Sequence, residues 1–358
     1  MCYIWQNPTV PAEEVTLATL EKIPHVIDNL NISGGEPTLR RDLAEIVDVV
    51  YPKARVVEIS SNGLHPERLE PIVRKHPHIK IRFSLEGFGD TNNQIRGEDD
   101  GFAIKVEGLR KLRELGGTDL GFAAVIQDGN VDELVSLYEF ARNNGFEFST
   151  SALHNAFQFH KNDNYPYDRM RLARQVERLI TEMLKTHSVK AWFRAYMNLG
   201  LIRKILGQDR LIPCTAATDF VFIDPWSDVY ACNVRPDLLM GNLSRQSWDD
   251  VFSGQLATRI RDQVAACNQN CWMVTTARTA MRSHWAPKLP KMQPLSWVLK
   301  NRLRVTVGLS VDFSAIDYTK VLPDREVSLR PSFFQTAFKR VVQHAADSHY
   351  RQGEFFNR

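Results

Sequence analysis

The sequence predicts an α/β protein built on a parallel sheet, and two observations carry that expectation. Apolar runs of strand length recur near residues 29–32, 55–60, 79–85, 120–126 and 146–149. Helical stretches at 41–51, 66–75, 102–115 and 131–144 separate them, with Gly116-Gly117 and Asn143-Asn144-Gly145 as helix stops. Strands and helices alternating in this way read as βαβ units, whose crossovers are right-handed. Ligands of such sheets bind at the carboxyl ends of the strands.

Before the first run, Pro11-Ala12-Glu13-Glu14 is expected to open an amphipathic helix with Val15, Leu17, Leu20 and Ile23 among its apolar positions. The first strand then ends abruptly at Gly34-Gly35. Paired glycines let the backbone take positive φ and approach a ligand with no Cβ in the way. Glu36 follows at the mouth of that turn, stiffened by Pro37. A carboxylate beside bare backbone polar groups suits a ligand carrying an amino group. The next strand ends in Ser60-Ser61-Asn62-Gly63, and the third in Ser84-Leu85-Glu86-Gly87, with Ile95-Arg96-Gly97 some way beyond. Each cluster alone is ordinary turn chemistry. Three in succession at the same end of the sheet predict a shared pocket.

These residues resemble the radical S-adenosylmethionine (SAM) superfamily over about residues 1–150. Gly34, Gly35 and Glu36 match its Gly-Gly-Glu motif, which receives the methionine amino group. Met-Cys-Tyr-Ile-Trp-Gln-Asn-Pro resembles the end of its Cys-x3-Cys-x2-Cys loop, so Cys2 matches the third loop cysteine. Ser60, Ser61, Asn62 and Ser84 match polar positions near the ribose and carboxylate, and Arg96 resembles an arginine that meets the carboxylate. The resemblance implies a partial (β/α)6 TIM-like barrel with its first strand missing. It also implies a [4Fe–4S] cluster that cleaves SAM to methionine and a 5′-deoxyadenosyl radical. Three thiolates hold such a cluster, and Cys2 supplies one, so this ligand set is incomplete. The resemblance therefore carries a further expectation: the sequence begins too late, and in-frame coding sequence upstream supplies the strand and two cysteines.

Residues 156–167 are polar and aromatic and read as a connector. A helix follows over 169–185, with Leu172, Val176, Leu179, Ile180 and Met183 on its apolar face, and a second near 196–205. His154 and His160 are given no role. Four cysteines then fall within about sixty residues: Cys214, Cys232, Cys267 and Cys271. Two β-prone runs around Asp224-Pro225 make a hairpin that brings Cys214 and Cys232 to one end. The Cys267/Cys271 spacing places both thiols on one helical face or around one turn. Zinc and an iron–sulfur cluster are the candidates, and tight Cys-x2-Cys knuckles are absent. The order cysteine, hairpin, cysteine, Gly-Asn-Leu, tryptophan helix, Cys-x3-Cys resembles the SPASM or twitch auxiliary-cluster domain, a small α+β unit. That resemblance implies one auxiliary [4Fe–4S] cluster on the four cysteines. Trp226, Tyr230, Trp248 and Trp272 are expected to pack as core.

The expected organisation is a partial barrel over 1–155, a helical connector over 156–208, an auxiliary-cluster domain over 209–285 and an extension over 286–358. In that extension 333–347 reads as an amphipathic helix and Lys288, Lys291, Lys300, Arg302 and Arg304 as a basic surface. A net charge of +3 gives no argument for nucleic acid, and no apolar run approaches the about 20 residues of a membrane span. Clustered cysteines without a secretory leader point to a reducing, cytoplasmic setting. The resemblance implies a radical enzyme that binds SAM, takes electrons from a donor such as flavodoxin or ferredoxin, and acts on a peptide or small metabolite. The residue that acts on the substrate is unknown. Two alternatives stand beside it: a non-catalytic iron–sulfur or scaffold protein, and an α/β enzyme with a structural zinc site.

Overall fold

The structure, a computed structural model, describes residues 2–161, 163–283 and 293–323. Met1–Asp324 forms one compact unit and Arg325–Arg358 another. The second unit lies outside the described residues, and with it the helix expected at 333–347; Lys288 and Lys291 lie outside them too.

The helix expected from Pro11 is shorter than its apolar spacing suggests. Pro11–Glu13 is a single 3₁₀ turn, and α1 covers only Leu17–Glu21, capped where the Thr16 side chain accepts from Thr19 N. The Glu14 carboxylate accepts from Thr9 Oγ1 and pairs with Arg40, holding the chain extended between the two pieces. Local ion pairing wins there because a five-residue helix has too few hydrogen bonds to repay nucleation.

The chain then alternates β1 (Leu30–Ile32), α2 (Leu43–Val50), β2 (Val57–Ser61), α3 (Glu70–Lys75), β3 (Lys80–Ser84), α4 (Gly89–Arg96), α5 (Gly101–Glu114), β4 (Asp119–Ile126), α6 (Leu134–Asn143) and β5 (Glu147–Ala152). The strands lie in chain order and every pairing is parallel, with Ile59 opposite Ile81 and Phe83 opposite Phe122, which is opposite Phe148. These five side chains and Val47, Leu69 and Leu109 are essentially without solvent exposure. They form the layer between sheet and helices. α4 was not legible as a helix, since of its eight residues only Asn92 is buried.

Successive strand residues face opposite sides, so the other side of the sheet carries a different chemistry. Near the strand starts it bears Glu58, Lys80, Arg82, Asp119 and Glu147. Arg82 and Lys190 pair with Asp119, Arg194 and Lys190 with Glu147, and Arg278 with Glu58. Toward the strand ends come Ser60, Ser84 and Ser149, on the alternation that places Lys80 opposite Asp119 and Ser84 opposite Ala123. The ions close one end of the sheet and leave the other polar and uncharged.

Helices α7 (Arg169–Lys185) and α8 (Val189–Ile205) follow. α8 starts a full two turns before the expected position, because Ser188 caps it by accepting from Ala191 N. A small antiparallel sheet comes next: β6 (Phe222–Ile223), β7 (Asp228–Tyr230) and β8 (Leu239–Asn242). It is followed by α9 (Trp248–Ser253), α10 (Gln255–Ala265), α11 (Val274–Ser283) and α12 (Gln293–Thr306). Ser247 and Asp250 form the capping box of α9. In the helix-facing core, Gly200 of α8 receives the indole of Trp272, whose Nε1 donates to the Met197 carbonyl at 2.8 Å.

Two outcomes follow. A Cβ on Gly200 would fall 2.0 Å from the Trp272 ring. Alanine favours helix over glycine by about 1 kcal/mol, yet overpacking a rigid ring costs about 1–3 kcal/mol. Gly200→Ala should therefore lower stability in urea titration, and an unchanged midpoint would contradict this packing. Burial and the neighbouring Asp228 charge push the Asp224 carboxyl up to about 7. Its folded value lies above the unfolded one, so its stabilising share is full at acid pH and is lost as pH rises from about 4 through 7. Asp224→Asn, which keeps the oxygen that accepts from Asp228 N, should melt higher than wild type at pH 8, with the gain disappearing below pH about 5.

Candidate cofactor and metal site

Gly34, at φ +105°, ends β1, and Gly35 lies with the place of its missing Cβ 3.9 Å from Ile4 of the Cys2 segment. The sequence-separated cysteine segment and the Gly-Gly turn are thus neighbours. Tyr3 N donates to the Phe159 carbonyl, and Ile4 N lies 3.3 Å from Cys2 Sγ, which fixes the half-buried Cys2 beside the turn.

Glu36 is the hub. Its Oε1 accepts from Thr38 N (3.0 Å), Thr38 Oγ1 (2.7 Å) and Ser61 Oγ (2.8 Å). Its Oε2 accepts from Asn62 N at 2.6 Å. Oε1 is saturated, while Oε2 keeps a lone pair for one more donor. Asn62 Oδ1 in turn accepts from Leu64 N, and Ser60 Oγ lies 3.1 Å from Asn31 Oδ1. Thr38 was not singled out by sequence, and Ser61, expected among the polar positions near the ribose and carboxylate, is placed by the alternation of β2 on the buried side, where it reaches Glu36.

Ser84 ends β3 one position past the Ser61–Phe83 pairing, and its hydroxyl has no side-chain bond among the described residues. Two residues on, Glu86 is buried, with Oε1 on Arg96 Nη1 at 3.0 Å and Oε2 on Val125 N at 2.7 Å. Arg96 also gives its Nε to Glu98 at 2.8 Å, and Lys105, with no exposed surface, pairs with the other oxygen of Glu98. Burial raises the Glu86 carboxyl against the pull of Arg96, and burial together with Arg96 brings the Lys105 amine down to about 8. Only two of the five guanidinium N–H groups of Arg96 are used by these carboxylates. Gly34, Gly35, Glu36, Ser60, Asn62, Ser84 and Arg96 therefore line one edge of the sheet, at the carboxyl ends of β1 to β3 and of α4.

The second set centres on the small sheet. Cys232 lies just after β7. Cys267 and Cys271 lie in the non-helical stretch between α10 and α11, not on a helical face; the Val264 carbonyl accepts from Cys267 N and ends α10 there. Cys232 feels the charge of Cys214 and Cys271, and Cys271 that of Cys214 and Cys267, so the four thiols share one neighbourhood. Among the described residues no three His, Cys, Asp or Glu side chains are close enough to hold a single ion. A four-iron cluster holds its thiolates farther apart than one ion does, and four cysteines are its full ligand set. The residues fit that group. Burial pushes the Cys232 thiol up to about 11 and Cys271 upward too, so loading must displace protons. For a cluster at Cys2 the fit fails within these 358 residues, since no second thiol accompanies it. Of the aromatic residues expected as core, Trp272 is buried while Trp226, Tyr230 and Trp248 are half-buried.

Residues 1–141 match the radical SAM superfamily, and residues 214–272 match the SPASM iron–sulfur cluster-binding domain. The mycofactocin maturase MftC of Mycolicibacterium smegmatis is 27% identical over 223 residues, 60% of this chain and 55% of MftC. The sporulation killing factor maturation protein SkfB of Bacillus subtilis is 27% identical over 149 residues, 40% of this chain and 36% of SkfB. The chain thus spans about half or less of these relatives' lengths. A solved structure described as native anSMEcpe with bound AdoMet and Cp18Cys peptide superposes with a TM-score of 0.52 at 13% identity, over 92% of this chain and 91% of that one. That likeness shows a shared fold, which in this chain is a parallel α/β sheet followed by a small SPASM-type unit. No described helix is long and apolar enough to cross a membrane. Radical SAM and SPASM domains imply [4Fe–4S] clusters and SAM. The chain thus carries a radical SAM superfamily domain over residues 1–141 and a SPASM iron–sulfur cluster-binding domain over residues 214–272.

Proposed function

We propose that this chain is the SAM-binding and auxiliary-cluster portion of a radical SAM enzyme that matures peptides. The observation that carries the reading is the joint presence of the Glu36-centred strand-end site and a four-cysteine group in one compact unit. SAM brings an ammonium, a carboxylate and a ribose. The free lone pair of Glu36 Oε2 and the bare Gly34-Gly35 backbone suit the ammonium. Arg96 suits the carboxylate with its unused N–H groups, and Ser60, Asn62 and Ser84 suit the ribose hydroxyls. Cys214, Cys232, Cys267 and Cys271 would hold the auxiliary cluster.

Reductive cleavage of SAM is the chemistry that a second, three-thiolate cluster supplies. Cys2 beside Gly35 is the one position in this chain for it, so no step is routed through it here. A one-electron donor such as flavodoxin or ferredoxin and a cytoplasmic setting belong to the same reading. Peptide maturation is supported by the similarity to a maturase, MftC, and a maturation protein, SkfB.

Two measurements test this. Anaerobically purified protein should contain about four iron and four sulfide per chain. Cys232→Ser and Cys271→Ser should each lose most of it, and unchanged iron would overturn the cluster assignment. SAM affinity by equilibrium dialysis tests the strand-end site. Ser84→Ala should weaken binding by about 0.5–1.5 kcal/mol, one hydrogen bond, without moving the melting temperature. Glu36→Gln should lower both, because an amide nitrogen would face donors already aimed at the carboxylate. Binding that is unaffected in both variants would remove SAM from this edge.

A further inference from the structure

The cysteine group is surrounded by cations that the reading so far does not use. Arg210 Nη1 donates to the Cys271 carbonyl and stands 3.8 Å from Cys271 Sγ. Its Nε donates to the Ile212 carbonyl at 3.2 Å, and the guanidinium lies 5.2 Å from the Trp272 ring centre. Arg210 Nη2 is closed to solvent and has no partner among the described residues. Leaving a guanidinium N–H buried and unmet is costly, and the same guanidinium stands beside the Cys271 thiol. Arg235 lies close enough to Cys267 for the two charges to interact and is itself held by Asp237. Lys204, buried on α8, adds its charge at Cys271.

We propose that Arg210, assisted by Arg235, is a fixed counter-charge that makes the four-cysteine centre a one-electron acceptor and not an inert structural staple. The inference rests on reading Cys214, Cys232, Cys267 and Cys271 as iron–sulfur ligands. Four thiolates around a [4Fe–4S]2+ core carry a net charge of −2, and accepting one electron from a low-potential donor takes it to −3. No bond to sulfur forms or breaks, and no proton is required. The added negative charge is stabilised by a guanidinium whose position is set in advance by a backbone carbonyl and an indole face. Because the cation is fixed before the electron arrives, it favours the reduced form with little reorganisation. Arg235 contributes less, since Asp237 already neutralises part of its charge. Charge and hydrogen bonds to sulfur are among the levers by which proteins set cluster potentials.

The test is a potentiometric titration of the anaerobically reconstituted full chain, reduced stepwise with dithionite and followed by electron paramagnetic resonance. Iron is quantified in every sample. Arg210→Gln should shift the reduced-to-oxidised ratio at fixed potential by about tenfold or more toward the oxidised form, about 59 mV for one electron. Arg235→Gln should shift it in the same direction by less. Arg210→Lys, which keeps the charge, should stay near wild type. An Arg210→Gln protein with full iron and the wild-type midpoint would overturn the proposal. If that variant fails to load iron, Arg210→Lys decides: loading with a wild-type midpoint supports a counter-charge. A midpoint displaced in the lysine variant, or no iron in it either, assigns Arg210 to packing alone and overturns the proposal. Absence of iron from wild type and variants alike would instead refute the cysteine assignment on which the inference stands.

Discussion

The carboxylate of Glu36 is the constraint from which the strand-end edge takes its shape. The Gly-Gly turn before it has no side chains with which to hold itself. Glu36 supplies the anchor, gripping the following 3₁₀ turn through Thr38 and the neighbouring strand through Ser61 and the Asn62 backbone. Charge-assisted hydrogen bonds of this kind are stronger than neutral ones. Four of them on one side chain fix the ends of β1 and β2 relative to each other. The bare backbone of Gly34 and Gly35 is thereby presented in a defined place, open on its outer side.

Arg96 is placed by a different device. It lies between two carboxylates, Glu86 and Glu98, and Glu98 is shared with the buried Lys105. Taking these groups out of water costs several kcal/mol per ion before pairing offsets it. A hydrophobic cluster of the same volume would serve stability as well, so the network's value lies in orientation. It holds the guanidinium by two edges and leaves the rest available. The aliphatic stem of Lys105 also runs 3.0 Å from where a Gly63 Cβ would sit, at φ +77°. The turn after β2 and the network behind Arg96 are therefore packed against each other.

Much of this was legible in the residues. Strand positions followed from apolar runs because a sheet covered by helices buries one full face, and the observed limits differ from the expected ones by a few residues. The Gly-Gly-Glu turn was visible because few other sequences satisfy a backbone that needs both openness and an anchor. The late start and short length of the helix at 17–21, and the helix at 89–96, were not visible. The first yields to ion pairs of Glu14 and Arg40 made across the fold, and the second has almost no buried residue to mark a period. Thr38, Glu98 and Lys105 escaped for a related reason. A polar residue that serves another polar residue carries no periodic signal, and its partner is known only once the strands are paired. The cations near the cysteines escaped likewise: Arg210 and Cys271 are separated by 61 positions in the chain.

Trp272 directly follows Cys271, and its indole is seated in the notch left by Gly200 on α8. The ligand loop is thus part of the same packed interior as the long helices. A group that binds the folded arrangement and not the open chain adds its binding free energy to folding. With Cys271 as a cluster ligand, as proposed, that gain would extend to the indole seat on α8, because releasing Cys271 would loosen its neighbour Trp272. In that reading, cofactor loss and loosening of the helical layer become one cooperative event.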